Sequence, residues 1–203
     1  MSQFDANARE WDNNPGHWER SEAIAKAILE MVPLKPEMKA LEFGAGTGIL
    51  SFLLEGKFSE IVLMDSSGEM VKVMHEKVAR TGLKHLNPLF FDLETTDFSG
   101  HSFDCIFSQM AMHHVGDIEK VVSRFYHTLN PGGWLAIADL YEEDGSFHGD
   151  GFTGHNGFDT SALEVIMANA GFTDISTRNC YTVKKIVGEN LIEFPVFLMI
   201  GNK

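Results

Sequence analysis

Two patterns of apolar residues alternate along the chain. Short, mainly apolar runs predict buried strands, and stretches with apolar residues at i, i+3, i+4 and i+7 predict amphipathic helices between them. The strand-like runs cover residues 39–43, 61–64, 89–91, 103–108 and 134–140. The first predicted helix carries its apolar stripe at Ile24, Ala27, Ile28 and Met31. Strands that alternate with helices predict a parallel sheet with helices on both faces.

Local signals predict where several helices begin and end. Pro33 ends the first predicted helix, because proline cannot continue the helical hydrogen bonds. Ser66 and Glu69 have the spacing of a capping box, which predicts a helix start at Ser66, and Gly82 predicts the end of that helix. Two further apolar runs, at residues 172–183 and 194–200, end the chain. About ten residues separate them, too few for a helical crossover, so we expect these last two strands to pair antiparallel.

Composition limits the classes to which the chain can belong. Its 203 residues predict one domain, 1–203, with an N-terminal helical cap segment (1–35) and an α/β core (36–203). The formal net charge of −13 disfavours a nucleic acid or an anionic membrane as partner. No apolar run reaches the roughly 18 residues of a membrane span, and the N-terminus lacks a secretory signal. Cys105 and Cys180 both lie in apolar runs, which predicts a reduced, cytoplasmic protein.

A glycine-rich loop follows the first predicted strand and opens the next helix. Gly44, Gly46 and Gly48 permit close approach of a ligand to the backbone, and the helix N-terminus offers N–H groups to a carboxylate. A dinucleotide fingerprint would place its third glycine at position 49, where this chain has Ile49. No Gly-Lys-Ser or Gly-Lys-Thr of a P-loop follows either. The pattern therefore disfavours both NAD and ATP and suits S-adenosylmethionine (SAM). A glycine turn with only a packing role is the alternative.

Two acidic residues follow the next two predicted strands. Asp65 is positioned to accept hydrogen bonds from both hydroxyls of a ribose, although a simple helix cap would also explain it. Asp92 is positioned to accept from an adenine amino group, with the backbone N–H of Leu93 as donor. The segment from Ser108 to His114 follows the fourth strand and completes the set. Because the carboxyl ends of parallel strands share one edge of a sheet, we expect these groups to lie together.

These four elements, at these spacings, resemble the UbiE-like branch of the class I SAM-dependent methyltransferases. The resemblance implies an α/β, three-layer Rossmann-like fold with a seven-stranded sheet of order 3-2-1-4-5-7-6, parallel except for the last strand. It implies SAM as cofactor, with the methionine end near Glu42 and the ribose at Asp65. The cofactor-binding residues expected from it are Glu42, Phe43, Gly44, Ala45, Gly46, Gly48, Asp65, Ser66, Met70, Asp92, Leu93 and Ser108.

The chain departs from the family pattern at two points. The acid of the first strand is very often aspartate in the family and is here Glu42, which is one methylene longer. The NPPY-type tetrapeptide of many enzymes that methylate amino groups in nucleic acids is absent, and residues 108–111 read Ser-Gln-Met-Ala. This replacement disfavours adenine, cytosine and glutamine as methyl acceptors.

A histidine pair is the candidate for catalysis. Methyl transfer from a sulfonium is an in-line displacement that depends mostly on holding the nucleophile near the methyl group. An acceptor with a hydroxyl or an acidic carbon also needs a base, a role that histidine fills near neutral pH. We expect His113 to be this base or to orient the substrate, and His114 to contact the substrate. The alternative is that both histidines only shape the loop.

The segment 141–159 after the fifth strand contains five glycines, five acids and no lysine or arginine. We expect it to form a substrate loop, with His148 and His155 in contact with the acceptor. These two histidines, with Asp150 and Asp159, could ligate a metal, but their spacing is wider than in usual metal motifs. The sequence therefore predicts no metal.

Trp11 and Trp18 lie before the first periodic helix. We expect them either to cover the cofactor and line the acceptor cavity or to dock this helix onto the sheet. The function that best fits the whole sequence is SAM-dependent methylation of a small-molecule acceptor. The alternatives are a SAM-binding protein without catalysis of its own, such as a sensor or partner subunit, and an NAD-dependent oxidoreductase. The sequence gives no signal for an oligomeric state.

Overall fold

The computed structural model describes residues 3–203. Its helices are α1 (Gln3–Asn7), α2 (Pro15–Met31), α3 (Ile49–Leu53), α4 (Gly68–Thr81), α5 (Ile118–Thr128) and α6 (Thr160–Ala170), with short 3-10 turns at Trp11–Asn13 and Met112–His114. Its strands are β1 (Lys39–Phe43), β2 (Glu60–Asp65), β3 (Leu86–Phe90), β4 (Phe103–Gln109), β5 (Leu129–Leu140), β6 (Thr173–Val187) and β7 (Asn190–Asn202). Within the described residues, no helix combines the length and the apolarity needed to span a membrane.

The seven strands form one sheet in the order β3-β2-β1-β4-β5-β7-β6. The pairs among β1 to β5 are parallel, whereas β7 pairs antiparallel with both β5 and β6. This confirms the expected Rossmann-like sheet and its inverted last strand. The hairpin between β6 and β7 is longer than the apolar runs indicate, and only Gly188 and Glu189 connect the strands. Its tip extends past the core, where Ile186 and Leu191 are exposed, so no continuous apolar run marks it.

Two apolar layers cover the two faces of the sheet. On one face, side chains of α2, α3 and α4 pack on the sheet around Ile28, Leu63 and Phe107. On the other face, α5 and α6 pack around Phe125 and Ile137. In this helix–sheet–helix arrangement the carboxyl ends of the parallel strands share one edge of the sheet. Loops collect there, and this is where ligands bind in open α/β sheets.

The start of α4 differs from the sequence-based expectation by one residue. The capping serine is Ser67, whose hydroxyl accepts a hydrogen bond from the Met70 N–H at 3.2 Å, and not Ser66. The cause is Asp65, whose carboxylate accepts the Ser67 N–H at 2.8 Å and extends the loop before the helix. Gly82 ends the helix as predicted, in the left-handed conformation with φ of 73°.

Candidate cofactor and acceptor site

The three glycines of the loop after β1 have two different environments: two pack against neighbouring side chains, and one faces open space. Gly44, Gly46 and Gly48 all have positive φ, at 65°, 57° and 82°. A Cβ atom at Gly44 would collide with the side chain of Ala111, and one at Gly48 would lie 2.7 Å from Leu63 Cδ2. At Gly46 the nearest atom is 4.0 Å away. The first and third glycines therefore permit tight packing, and the second leaves room for a ligand beside the backbone.

Glu42, in the middle of β1, is fully buried beside this loop. Its Oε2 accepts hydrogen bonds from the backbone N–H and the hydroxyl of Ser51, but its buried Oε1 has no partner among the described residues. Burial raises the pKa of Glu42 to about 8, against the opposing effect of the Ser51 hydrogen bonds. An unsatisfied buried acceptor is costly. The ammonium group of SAM would supply the missing donor, so the residues fit this cofactor.

Asp65, at the end of β2, also shapes the glycine loop. Its Oδ2 accepts the Gly46 N–H at 2.7 Å, and its Oδ1 accepts the Ser67 N–H at 2.8 Å. Desolvation by burial raises its pKa. Each carboxylate oxygen has two lone pairs, so the pair of oxygens keeps acceptor capacity for ribose hydroxyls. Asp65 can therefore hold the loop and bind a nucleoside at the same time.

The third acid, Asp92, is engaged within its own loop. Its carboxylate accepts hydrogen bonds from the N–H groups of Glu94 and Thr95 and, at 2.8 Å, from the Thr95 hydroxyl. Leu93 is buried, and its carbonyl accepts a hydrogen bond from Arg124. The adenine contact expected of Asp92 and Leu93 stays a prediction, because the carboxylate already has local partners.

The other residues expected to bind the cofactor have different environments. The Phe43 ring packs edge-on against Phe125, 5.2 Å away, in the layer opposite to Glu42, so only its backbone can serve the site. Ala45 and Met70 are buried, whereas Ser66 is exposed. The hydroxyl of Ser108 is buried without a hydrogen-bond partner in the described part of the chain.

The N-terminal segment lies over the glycine loop. Trp11 Nε1 is the atom nearest to the open side of Gly46. Asp12 accepts a hydrogen bond from the Thr47 hydroxyl and forms an ion pair of 2.7 Å with Lys77, which also donates to the Thr47 carbonyl at 2.9 Å. Asp12 and Lys77 are not among the residues predicted from the sequence, although a lysine within the apolar stripe of α4 is a usable signal.

Trp18 packs beneath the N-terminal segment that covers the glycine loop. Its Nε1 donates to the Asp12 carbonyl at 3.0 Å, and the Lys77 ammonium lies 5.7 Å from the centre of its ring. The neighbouring Trp11 ring lies against His17, with 4.3 Å between centroids. Of the two proposed roles for the tryptophans, Trp18 thus packs within the cover, and Trp11 faces the glycine loop.

A buried histidine–aspartate pair lies next to the loop, at the ends of β4 and β5. His113 Nδ1 is 2.6 Å from Asp139 Oδ1, and the His113 N–H donates to Asp139 Oδ2 at 3.2 Å. A ring nitrogen that faces a carboxylate carries the proton, which leaves Nε2 with a lone pair. Asp139 is not among the residues predicted from the sequence. The usable signal is that it is the one charged residue in the apolar run 134–140.

His114 and His148 lie beside His113. Their ring centroids are 4.1 Å and 4.9 Å from that of His113, and Phe152 stacks on His148 at 3.9 Å. Desolvation, followed by the charge of His113, lowers the pKa of both His114 and His148 to about 4. Both rings are therefore neutral near pH 7 and have a lone pair available.

His155 has a different position. Its Nε2 lies 2.9 Å from the Val115 carbonyl, and its backbone N–H donates to the His113 carbonyl at 2.8 Å, so it fastens the loop to the histidine segment. Asp159 caps α6 by accepting the Ser161 N–H. Of the four residues considered from the sequence as metal ligands, only His148 belongs to a group of potential ligands, and its neighbours there are His113 and His114.

Arg20 adds a positive charge close to the pair of His113 and Asp139. It lies on α2, next to Ser21, whose hydroxyl donates to Gln109 at the end of β4. Its buried Nε has no hydrogen-bond partner among residues 3–203. Desolvation lowers the pKa of Arg20, and the charges of Asp139 and Tyr181 act in the opposite direction. Sequence periodicity gave no signal for it, because an arginine is ordinary in a helix of mixed polarity.

The chain is similar in sequence to known methyltransferases. The chain is 29% identical over 156 residues to the uncharacterized methyltransferase C1347.09 of Schizosaccharomyces pombe, covering 69% of this chain and 55% of that protein. It is 28% identical over 116 residues to the ubiquinone/menaquinone biosynthesis C-methyltransferase UbiE of Pectobacterium atrosepticum, covering 55% of this chain and 46% of that protein. The chain thus spans about half the length of these curated relatives.

A solved structure extends the similarity over the whole fold. The phosphoethanolamine N-methyltransferase 2 of Haemonchus contortus, in complex with S-adenosyl-L-methionine, superposes with a TM-score of 0.71 at 18% identity. The match covers 100% of this chain and 60% of that one. At this identity the likeness shows the fold alone. The methyltransferase domain family matches residues 17–177. The chain therefore belongs to the methyltransferase domain family and, within it, to the class I SAM-dependent methyltransferases.

Proposed function

We propose that this protein transfers the methyl group of SAM to a small-molecule acceptor that loses a proton in the reaction. The observation that carries the proposal is the buried pair of His113 and Asp139 beside the glycine loop. Glu42, Gly46 and Asp65 would hold the methionine end and the ribose of the cofactor. When bound, SAM supplies the electrophilic methyl group.

The histidine–aspartate pair suits the removal of a proton from the acceptor. Asp139 orients the ring and stabilises the positive charge that His113 gains when Nε2 takes up a proton. A positioned base of this kind typically contributes about 10²- to 10⁴-fold to the rate. An amine that is already deprotonated needs no such base, so the pair favours an acceptor with a hydroxyl or an acidic carbon.

Arg20 supports an acceptor that carries a negative charge. A guanidinium binds carboxylate and phosphate groups through paired hydrogen bonds. Its buried Nε has no partner among the described residues, and the protein as a whole is strongly acidic. The phosphoethanolamine enzyme with the same fold has a phosphate on its acceptor by name. We therefore place carboxylates and phosphates first among the acceptors to be tested.

The test is transfer of a radiolabelled methyl group from SAM into a panel of small molecules that carry hydroxyl, acidic-carbon, amine and thiol nucleophiles. For an acceptor found in this way, Asp139→Asn is expected to lower kcat by about 10²- to 10⁴-fold, with little change in SAM affinity, because His113 loses the carboxylate that fixes its tautomer and stabilises its positive charge. Folding of the variant is checked by its thermal unfolding with SAM bound.

The outcomes separate the proposal from its alternatives. Transfer that depends on Asp139 supports it. SAM binding without transfer to any acceptor supports a sensor or partner subunit instead, and binding of NAD in place of SAM supports an oxidoreductase. Full activity in Asp139→Asn would contradict the role of the pair while leaving methyl transfer in place.

A further inference from the structure

Three histidines from two loops meet at the end of the sheet. One potential ligand nitrogen from each of His113, His114 and His148 lies within 4.8 Å of the other two. His113 and His114 belong to the turn after β4, and His148 comes from the loop after β5. We call this group the histidine cluster. His148 lies 34 residues after His114 and 35 after His113, so no local motif accounts for their meeting.

The ring of His113 is held as metal-bound histidines are held. Its Nδ1 is 2.6 Å from the buried Asp139 carboxylate, so Nε2 is the nitrogen that is left to bind a ligand. A carboxylate behind a histidine fixes the tautomer and the ring orientation, and it makes the remaining nitrogen a better donor. Metal-binding histidines almost always have such a partner. The pair thus supplies both the ligand and its support.

The other two histidines can adjust to an ion. Zinc–nitrogen bonds of about 2.0–2.1 Å in a tetrahedral site place the ligand nitrogens roughly 3.4 Å apart. The cluster must therefore contract by at most about 1.4 Å from its 4.8 Å limit. Unlike His113, His114 and His148 reach the solvent, and the Phe152 ring that contacts both of them belongs to the same loop as His148, so it can shift with that loop. Gly145, Gly149 and Gly151 flank His148 with positive φ, which gives its loop freedom to follow.

We propose that the histidine cluster binds one divalent cation of the Zn²⁺ class (Zn²⁺, Co²⁺ or Ni²⁺) through three imidazole nitrogens, with a fourth position open. Imidazole ligands suit these ions, whereas Mg²⁺ and Ca²⁺ require oxygen ligands. Three histidines with one open position form the usual ligand set of a zinc site that also admits another molecule.

The charges around the cluster are consistent with a cation. The net charge of −13 attracts positive ions to the protein. Two positive charges oppose a cation there: Lys185, whose ammonium donates a hydrogen bond to the Phe147 carbonyl, acts on His148, and Arg20 acts on Asp139. The carboxylate of Asp139 compensates the positive charge of the ion through the ring of His113.

Binding would have a structural consequence as well. An ion would tie His148, and with it the segment 142–157, to the end of β4. The ion would also take the same Nε2 of His113 that accepts a proton in the proposed reaction. This inference goes beyond the proposed function and does not depend on it, because ion binding is measured without an acceptor.

The test uses the full chain after removal of any affinity tag, with no acceptor present. We expect Co²⁺ to give the intense visible absorption of a tetrahedral complex, saturating at one ion per chain, and Zn²⁺ to displace it. His148→Ala and His114→Ala are each expected to weaken binding at least about 10-fold, and Asp139→Asn by about 10- to 100-fold. The matched control is His75→Ala, which removes an exposed histidine of α4.

Hydrogen exchange supplies a second measurement. Saturating Zn²⁺ is expected to slow amide exchange in segment 142–157 of the unchanged protein and not in His148→Ala. The inference is overturned if no ion binds at one per chain, or if His148→Ala and His75→Ala bind equally well. Neither result affects the methyl-transfer assay, and a protein that binds the ion but transfers no methyl group contradicts only the proposed function.

Discussion

The buried carboxylate of Glu42 makes the stability of the ligand-free protein depend on pH in a specific window. Its pKa rises from an ordinary 4.5 to about 8 in the folded protein. Between these values folded Glu42 holds a proton that the unfolded chain releases, so the contribution of this proton to stability is fully present below pH 4.5, falls as the pH rises, and is lost above about 8. At roughly 1.4 kcal/mol per pH unit, the upper limit of this loss is about 5 kcal/mol.

Glu42→Gln removes the ionisation and keeps a side chain of similar shape. The free energy of unfolding of the variant, minus that of the unchanged protein, is therefore expected to rise by up to about 5 kcal/mol between pH 4.5 and pH 8. Urea unfolding of the ligand-free proteins at several pH values measures this difference. The matched control is Glu22→Gln, an exposed change on α2, for which we expect no such rise.

The same variant has an opposite effect on the cofactor. A hydrogen bond to a charged group contributes about 1.5–3 kcal/mol, so loss of the charge is expected to weaken SAM binding by roughly 10- to 100-fold in calorimetry. The reasoning about Glu42 is refuted if the stability difference between the two proteins stays constant from pH 5 to pH 9. It is also refuted if SAM binds the variant with unchanged affinity.

Three further experiments test other parts of the site. Gly46→Ala and Gly82→Ala place a Cβ at similar positive φ values, 57° and 73°, so both are expected to cost about 1–2 kcal/mol of stability in thermal unfolding. Only Gly46→Ala should weaken SAM binding. Equal SAM affinities of the two variants would contradict the role of Gly46. Lys77→Met leaves Asp12 without its ion pair, which is expected to cost about 1–3 kcal/mol and to speed limited proteolysis in residues 3–14; unchanged cleavage would show that the pair does not hold the cover. Arg20→Gln should raise the KM of a carboxylate or phosphate acceptor at least about 10-fold and leave that of a neutral acceptor unchanged, whereas equal effects on both would remove the anion-binding role.

The sequence predicts the parts of the fold that are continuous and fully buried. Strands such as β1 and β4 are mainly apolar because helices cover both of their faces, so their runs stand out. The β6–β7 hairpin is partly exposed, and its polar positions interrupt the pattern. The start of α4 shifts from Ser66 to Ser67 because Asp65 makes a side-chain hydrogen bond that no periodicity records.

The site divides along the same line. The glycine loop and Asp65 follow their strands directly, so position in sequence indicates position in space. Asp139 is hidden inside a strand, and its role depends on the neighbouring strand that brings His113 to it. The histidine cluster needs the path of a glycine-rich loop, which spacing cannot give. For that reason the metal-ligand candidates chosen from sequence shared only His148 with the group that the structure assembles.

The contact between Gly44 and Ala111 gives this site a further property. The glycine loop rests directly on the turn after β4, with no space for a side chain between them, and Ala111 lies two residues before His113. If cofactor binding shifts the loop, this contact passes the shift to the turn that carries the histidines, and a ligand held by the histidines opposes it. We then expect the two affinities to be linked reciprocally: the factor by which one ligand changes the affinity of the other is the same in both directions.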